Sequence, residues 1–435
     1  MKKNNIDISA KLLLLILSSA VMYIFPNVNE LPLVGGYIVF LSIIFIIKSY
    51  KNIMSFIVAL FLFWFNYSII FANYFLDMHS FYLRDSYSAV SVIGLRVLLI
   101  FNLILCLFTK NSDSKNYEIA WKYNKPVSEI IAWGYLFLLT FILIFGFSRP
   151  AKEGGRGSPS TIYEYSIVLF IVGYYFFHSN KYYINLSSFL LILYALQNLY
   201  YGGRITALQE LTIFFILFVH KKSKTNLKTM IPVVIFSFII FTGVGLFRAN
   251  FRLSTSTIND IFESSNNKAL TLDTAYSAYY TSLTFIKTES ILSLPERLRI
   301  FINWICSQLV GGSLIRESNV AQITRRYYIH YYGGVLPFFG HFFMGYIGTI
   351  LISLVVAKYI NDLKSFYKKS GLSKCILLYF VVTTPRWFLY SPSPLFRGAF
   401  LVFVVYYITE QFNAFFMKRQ YMRMNERDKL QYAKA

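Results

Sequence analysis

Apolar blocks close to twenty residues long recur through this sequence from one end to the other, and they set what it can fold into. A hydrocarbon core about 30 Å thick takes roughly twenty helical residues to cross. Inside it every backbone amide and carbonyl has to be satisfied within the segment, which leaves helices or closed barrels. Stretches such as SFIVALFLFWFNYSIIF and AWGYLFLLTFILIFGF have the helical length, and nowhere is there the alternating ten-residue pattern of a barrel. Spans are expected at about 11–26, 33–47, 53–72, 90–108, 130–147, 162–178, 184–199, 205–220, 230–247, 335–357, 375–390 and 398–416. The first resembles a signal peptide, but with so many spans behind it an uncleaved helix is the better reading. The sequence thus describes an all-α polytopic membrane protein with about twelve transmembrane helices. A nine-span bundle (1–247) precedes a long outer loop with short helices of its own (248–334), a three-span bundle (335–417) and a basic tail (418–435).

Charge orients these spans. Lys and Arg number 42 against 20 Asp and Glu, a formal net charge of +22. In a soluble chain this would suggest nucleic acid; here it fits the positive-inside rule. With the N-terminus inside, one set of loops holds Lys48, Lys51, Lys110, Lys115, Lys181, Lys221, Lys228, Lys358, Lys364 and Lys374, and the tail adds Lys418 and Arg419. Both termini are then cytoplasmic and the 248–334 loop is outside. The outer set is mostly Arg: Arg84, Arg149, Arg156, Arg204, Arg248, Arg252, Arg297, Arg299, Arg316, Arg325, Arg326, Arg386 and Arg397, with Arg96 in the outer part of a span. Topology does not explain this separation, because the rule counts Lys and Arg alike.

Arg differs from Lys in its planar fork of donors, which matches phosphate and carboxylate oxygens two at a time. Arg149, Arg204, Arg248, Arg386 and Arg397 stand at block edges, where charge is costly and marks a substrate path or an anchor to the headgroups. Arg248 and Arg252, four apart in GLFRANFRL, share a face if they begin a helix. Together with Arg156, these arginines suit an anionic ligand at headgroup depth, such as a lipid-linked pyrophosphate. Gly202-Gly203 lets the backbone turn and bring Arg204 to the opening of a span. Glu210 behind it reads as an intramembrane partner for an Arg.

The outer loop has its own pattern. LDTAYSAYYTSLTFIKTESIL predicts a helix capped by Asp273 or Thr274, with Tyr276, Tyr279 and Tyr280 on one face for interfacial packing or sugar stacking. LPERLRIFINWICSQLVGG predicts a second helix from Pro295 to Gly311-Gly312, able to lie flat on the membrane. The segment RESNVAQITRRYYIHYYGG then concentrates Arg316, Glu317, Arg325, Arg326 and His330. Glycosyl transfer needs positive charge on the leaving group and a base for the acceptor hydroxyl. Arg325 and Arg326 suit the first role, His330 or Glu317 the second. Cys106, Cys306 and Cys375 form neither a disulfide framework nor a metal-ligand spacing, and there is no DxD pair, HExxH or phosphate loop. No metal or other cofactor is implied.

This architecture resembles the Wzy family, the O-antigen and capsular repeat-unit polymerases. The likeness lies in the span number, the internal termini and the late outer loop, with local echoes in YGGR, FRANFR and GHFFMGYIGT. In the last, His341 stands where the family often has an acidic residue, so no role is carried onto it. The resemblance implies a fold similar to the GT-C-type ligases and polymerases. It also implies a metal-independent glycosyltransferase at the outer face of the bacterial inner membrane. That enzyme moves a growing chain from undecaprenyl pyrophosphate onto a new undecaprenyl-pyrophosphate-linked oligosaccharide. Its partners would be this substrate, membrane lipids, and a chain-length regulator and flippase of the same pathway, with no nucleic acid. The rival readings are an O-antigen ligase, with lipid A core as acceptor, and a flippase for the same lipid-linked oligosaccharide. A flippase is built from two similar halves with short loops, and no such halves are visible.

Overall fold

The computed structural model describes residues 2–24, 31–76, 88–111, 123, 127–149, 158–201, 203–219, 271–312, 314–330 and 333–432. The helices of the first half are α1 (Lys2–Ile24), α2 (Leu31–Ser49), α3 (Ile53–Ile70), α4 (Ser88–Phe108), α5 (Glu129–Phe145), α6 (Thr161–Phe177), α7 (Lys181–Tyr200) and α8 (Arg204–Phe214). Those of the second are α9 (Asp273–Thr288), α10 (Leu294–Val310), α11 (Val320–Thr324), α12 (Leu336–Lys364), α13 (Gly371–Val382), α14 (Thr384–Leu389) and α15 (Ala399–Tyr432). A two-stranded antiparallel ribbon pairs β1 (Phe147–Arg149) with β2 (Ser158–Pro159).

The chain is a helical membrane protein, but the expected twelve spans do not all have the stature of spans. Among the described residues five helices are long and apolar enough to cross a bilayer: Leu31–Ser49, Ile53–Phe75, Val90–Phe108, Leu336–Lys364 and Pro394–Gln420. Lys11–Tyr23, Glu129–Phe145, Thr161–Phe177 and Gly371–Val382 are apolar but shorter. At about 1.5 Å per residue a seventeen-residue helix reaches only ~25 Å. The segment expected at 375–390 is divided at Thr383, with Pro385 opening α14. Helix α7 carries Asn185, Gln197 and Asn198, and α8 runs 11 residues before a π-helical turn. The segment expected at 230–247 lies outside the described residues.

Contacts divide the chain into two compact units that interleave along it, where the sequence segments were contiguous. The first comprises Met1–Tyr117, Asn259–Ser365 and Thr383–Arg397; the second comprises Glu118–Ile258, Phe366–Val382 and Gly398–Ala435.

The first unit is built on α2, α3, α4 and α12. Asn66 donates to Ser42 Oγ and Asn102 Oδ1, each at 2.9 Å, tying three helices together at a buried point. Such interhelical hydrogen bonds contribute about 0.6 kcal/mol on average in a bilayer. A Cβ on Gly35 would lie 2.6 Å from Ile70 Cγ2, so the absence of a side chain there lets α2 and α3 close on each other. At one end of this bundle, side chains from the last turns of α2 and α12 reach the carbonyls at and just past the end of α4. Lys48 Nζ donates to Cys106 O, Lys364 Nζ to Lys110 O, and Asn361 Nδ2 to Phe108 O. Cations belong there, because each helix presents the negative end of its dipole.

Helix α9 departs from expectation. The sequence places it in an outer loop, yet it is inserted in the bundle against α3, α4 and α12. Leu272 N donates to Ser68 Oγ (2.9 Å), and a Cβ on Gly94 would lie 2.6 Å from Leu283 Cδ2. Its hydroxyls make it look polar, but Ser282 and Thr288 bond the carbonyls four residues back, so the outward surface of the helix is apolar.

The second unit packs α5, α6, α7, α8, α13 and α15 through aromatic rings, with Tyr163, Tyr174, Tyr183 and Tyr194 all fully buried. Ser128 N donates to Asn413 Oδ1 (2.9 Å) and Tyr135 Oη pairs with Thr409 Oγ1, fixing α5 on α15.

Candidate functional site

The end of the first unit opposite its lysines is assembled from α9, α10 and the start of α12. Helix α9 finishes at Thr288, and a tight turn leads to Ser293. There the Glu296 carboxylate reaches back to accept from the Ser293 amide (2.8 Å) and hydroxyl (2.7 Å), one half of a capping box, with Pro295 in the first turn. These hydrogen bonds hold the Glu296 carboxyl below its ordinary range. The turn folds Arg297 of α10 back beside Glu289.

Helix α12 supplies the third member. It is two helices in one: Met344 (φ −141°, ψ 20°) and Gly345 (φ 62°, ψ −147°) interrupt it. Gly345 takes a conformation open essentially to Gly alone. Gly340 and Gly348 lie so close across the break that a Cβ on either would collide with the other's carbonyl. His341 stands in the first segment, just before the interruption.

Glu289 joins the three. Its Oε2 accepts from Arg297 Nη1 at 2.9 Å and its Oε1 from His341 Nδ1 at 2.6 Å. Arg297 Nη1 also donates to Phe342 O (2.8 Å), satisfying a carbonyl freed by the break. Side-chain exposures of 12% for Arg297, 18% for Glu289 and 7% for His341 put the group largely out of water, where charged hydrogen bonds gain strength. Arg297 Nε is buried and makes no hydrogen bond, nor does His341 Nε2 among the described residues; Tyr346 lies edge-on to the imidazole at 4.9 Å. The remaining 346–364 segment rises ~28 Å at about 1.5 Å per residue, close to one hydrocarbon thickness. Its far end is Lys364. The Glu289 cluster therefore stands about one membrane core away from the lysines.

An exposed group lies on the same unit. Glu317, in the left-handed region at φ 55°, accepts from Arg299 Nη2 and Arg326 Nη1, both at 3.1 Å. Arg316 and Arg325 are exposed beside them. His330, expected as a base, is buried with Nε2 bonded to Thr324 Oγ1 at 2.9 Å, which closes the end of α11. Arg397 Nη2 donates to Ser307 O (2.6 Å) near the last turn of α10, and its Nε, Trp304 Nε1 and Gln308 Oε1 are buried there without partners. Arg386 is half-buried on α14, and Arg96 half-buried on α4.

The tyrosines expected to stack on sugar are mostly packing residues. Tyr279 is 0% exposed, hydrogen-bonded to Tyr74 (2.7 Å) and edge-on to Phe338; Tyr280 is buried with its hydroxyl toward Ile329 O (3.4 Å). Tyr276 alone of the three is half-buried. An α9 wrapped by spanning helices leaves no open ring face at 279 or 280.

In the second unit Arg204 opens α8 behind Gly203, as its spacing predicts. Both oxygens of buried Glu210 accept from Asn198 Nδ2, at 2.7 and 2.9 Å. Arg149 ends β1. Arg156, Arg248 and Arg252 lie outside the described residues.

Sequence reasoning passed over Glu289 and set His341 aside. The available clue was the Ser293–Pro295–Glu296 capping pattern, which marks a turn tight enough to fold Arg297 back over the end of α9. Among the described residues no group of three or more His, Cys, Asp or Glu is arranged to hold a metal ion. No protein-family model, curated protein or solved structure matches this chain, so the expected likeness to GT-C-type enzymes finds no counterpart.

Proposed function

We propose that the chain is a membrane glycosyltransferase that joins lipid-pyrophosphate-linked oligosaccharide repeat units, the polymerase reading to which the sequence leads. The observation that carries it is the Glu289–Arg297–His341 cluster, an acid–base group placed one hydrocarbon thickness from the lysine end, with exposed arginines on the same unit. In this reading the lysine end is cytoplasmic, both termini lie on that side, and the cluster faces the outside of a bacterial inner membrane at the depth of a lipid pyrophosphate.

The chemistry follows from the group's geometry. The acceptor hydroxyl attacks the anomeric carbon of the donor sugar, the carbon–oxygen bond to pyrophosphate breaks, and the hydroxyl proton passes to a base. His341 is the base we assign in preference to His330 or Glu317. Its Nδ1 is held by Glu289, which fixes the ring and leaves Nε2 to take the proton. His330 Nε2 already bonds Thr324, and both Glu317 oxygens are engaged by guanidinium groups. Arg325 and Arg326 stabilise the negative charge of the departing lipid pyrophosphate. Arg386 and Arg397, on the same unit, remain proposed ligands of the pyrophosphate.

The test uses purified protein in nanodiscs, a lipid-pyrophosphate repeat unit from the host strain and no other protein. A product ladder spaced by one repeat, lost on His341→Ala, is the expected result. Movement of the lipid across a liposome bilayer without a ladder would establish the flippase instead. Product only on adding lipid A core would establish the ligase.

A further inference from the structure

Helix α10 divides into three sectors. Ile300, Trp304, Ser307 and Gln308 are buried, with Trp304 against Phe343 of α12 (6.0 Å between ring centroids) and edge-on to Phe396 (5.2 Å). On the opposite side Ile302 (60% exposed), Ile305, Cys306 and Leu309 (66%) form an apolar stripe at helical spacing that no described residue covers. Between these two sectors runs a polar edge of Glu296, Arg299 and Asn303. Arg316 is held along this edge by the bond from Asn303 Nδ2 to its carbonyl (3.3 Å).

We infer that α10 lies flat in the outer headgroup layer, its apolar stripe in the acyl boundary and its Arg299–Arg316 edge on the phosphates of anionic phospholipid. Three observations carry this. Phe343, the α12 residue on which α10 packs, stands just before the break, and beyond the break Tyr346, Ile347, Ile350 and Leu351 are exposed on a membrane-spanning helix and so face lipid. That sets α10 at the level where the hydrocarbon ends. Leu314 (75% exposed), whose amide bonds Gly311 O, prolongs the stripe past the end of α10 into a longer apolar floor. The edge of that floor carries Arg299 and Arg316, whose forks match phosphate oxygens, as an interfacial helix on an anionic surface requires. A spanning role is excluded by Glu296, Arg297, Arg299 and Gln308 within its 17 residues.

The chain carries its own probe: Cys306 lies in the stripe, and Cys106 and Cys375 are buried. Purified full-length protein is labelled with an environment-sensitive fluorophore, with Cys306→Ser as the unlabelled control. It is then placed in vesicles containing phosphatidylcholine alone or with phosphatidylglycerol. Spin labels near the headgroup should quench the probe more than spin labels deep in the acyl chain, and aqueous iodide should quench it little. Phosphatidylglycerol should shift the emission further to the blue at low salt, and this shift should be lost in Arg299→Gln/Arg316→Gln. Strong iodide quenching would mean that α10 stands in water. Deepest quenching by the acyl-chain label would mean that it spans. Either overturns the inference, and a blue shift indifferent to phosphatidylglycerol overturns its headgroup part. The readout needs no glycosyl transfer, so it stands or falls separately from the polymerase reading.

Discussion

Glu289 gives one oxygen to His341 and the other to Arg297, and both partners approach as donors. Gln at this position keeps the shape but turns an NH2 toward one of those donors. Glu289→Gln should therefore lower stability by about 1–3 kcal/mol, the cost of a half-buried charged donor left unsatisfied. It should also abolish polymer. Thermal unfolding in detergent measures the first effect, and an unchanged melting temperature would show that the cluster is not held as described. Arg325 and Arg326 predict the opposite pattern. Both are exposed, and the Arg326–Glu317 pair at 3.1 Å is of the surface kind, contributing ~1 kcal/mol or less. Arg325→Lys/Arg326→Lys should melt like the parent yet make no ladder, because a point charge cannot replace the fork. Normal polymer from this variant would remove the pyrophosphate role of the pair. The unequal placing of Lys and Arg along the chain was readable in the sequence. The pairing of Glu289 with His341 was not, since it joins residues 52 apart through two helices and a turn.

Among the elements, α12 concentrates its function in one interruption. A Cβ on Gly345 would meet nothing within 4 Å, so Gly345→Ala isolates the backbone effect at φ 62°, ψ −147°. The substitution should cost about 1–3 kcal/mol and draw 336–343 toward helical continuity with 346–364, moving His341 off Glu289. Unfolding of G345A at the parent temperature, with full polymer yield, would contradict a functional break. GHFFMGYIG does show its glycines, but their spacing suggests only close approach, and the left-handed φ belongs to one of them. The start of α9 and both ends of α10 were foreseeable within a residue or so, while α9 ends at Thr288, four residues short of the expected 292. Pro295 and the Gly311-Gly312 pair bracket α10 at Leu294–Val310, with Gly311 at φ 103° as its C-cap. What the sequence concealed was the burial of α9. Hydroxyls that bond their own helix no longer count as polar surface, and a hydropathy pattern has no means of recording this. The same limit applies to α7 and α8, where Asn198 Nδ2 donates to both oxygens of buried Glu210.

At the level of the whole molecule, lysine gathers at one end of the first unit and arginine predominates at the other, although Lys287 also stands there in the last turn of α9. Helix α4 carries Arg96 and ends at Phe108, two residues before Lys110, and α12 carries His341 near its start and ends at Lys364. Lysines from α2 and α12 reach the carbonyl end of α4, and Arg297 joins Glu289 at the other end. The helix dipole accounts for cations at the first end, but nothing in it asks for arginine at the second. A headgroup layer with phosphate to be bound does. The separation makes a sidedness prediction that is independent of activity. In a Cys306→Ser background, cysteine is placed at Ser290, exposed in the turn beside Glu289, or at Lys51, exposed between α2 and α3. A membrane-impermeant maleimide added to intact spheroplasts should label Ser290→Cys at once and Lys51→Cys only after permeabilisation. Labelling of both from outside would mean that the two ends do not lie across a bilayer, and the ~28 Å rise from the break to Lys364 would lose its meaning as a membrane core. Labelling in the reverse order would put the Glu289 cluster in the cytoplasm. A lipid pyrophosphate exposed on the outer leaflet would then be out of its reach, and the arginines would need an anionic ligand from the cytoplasmic side.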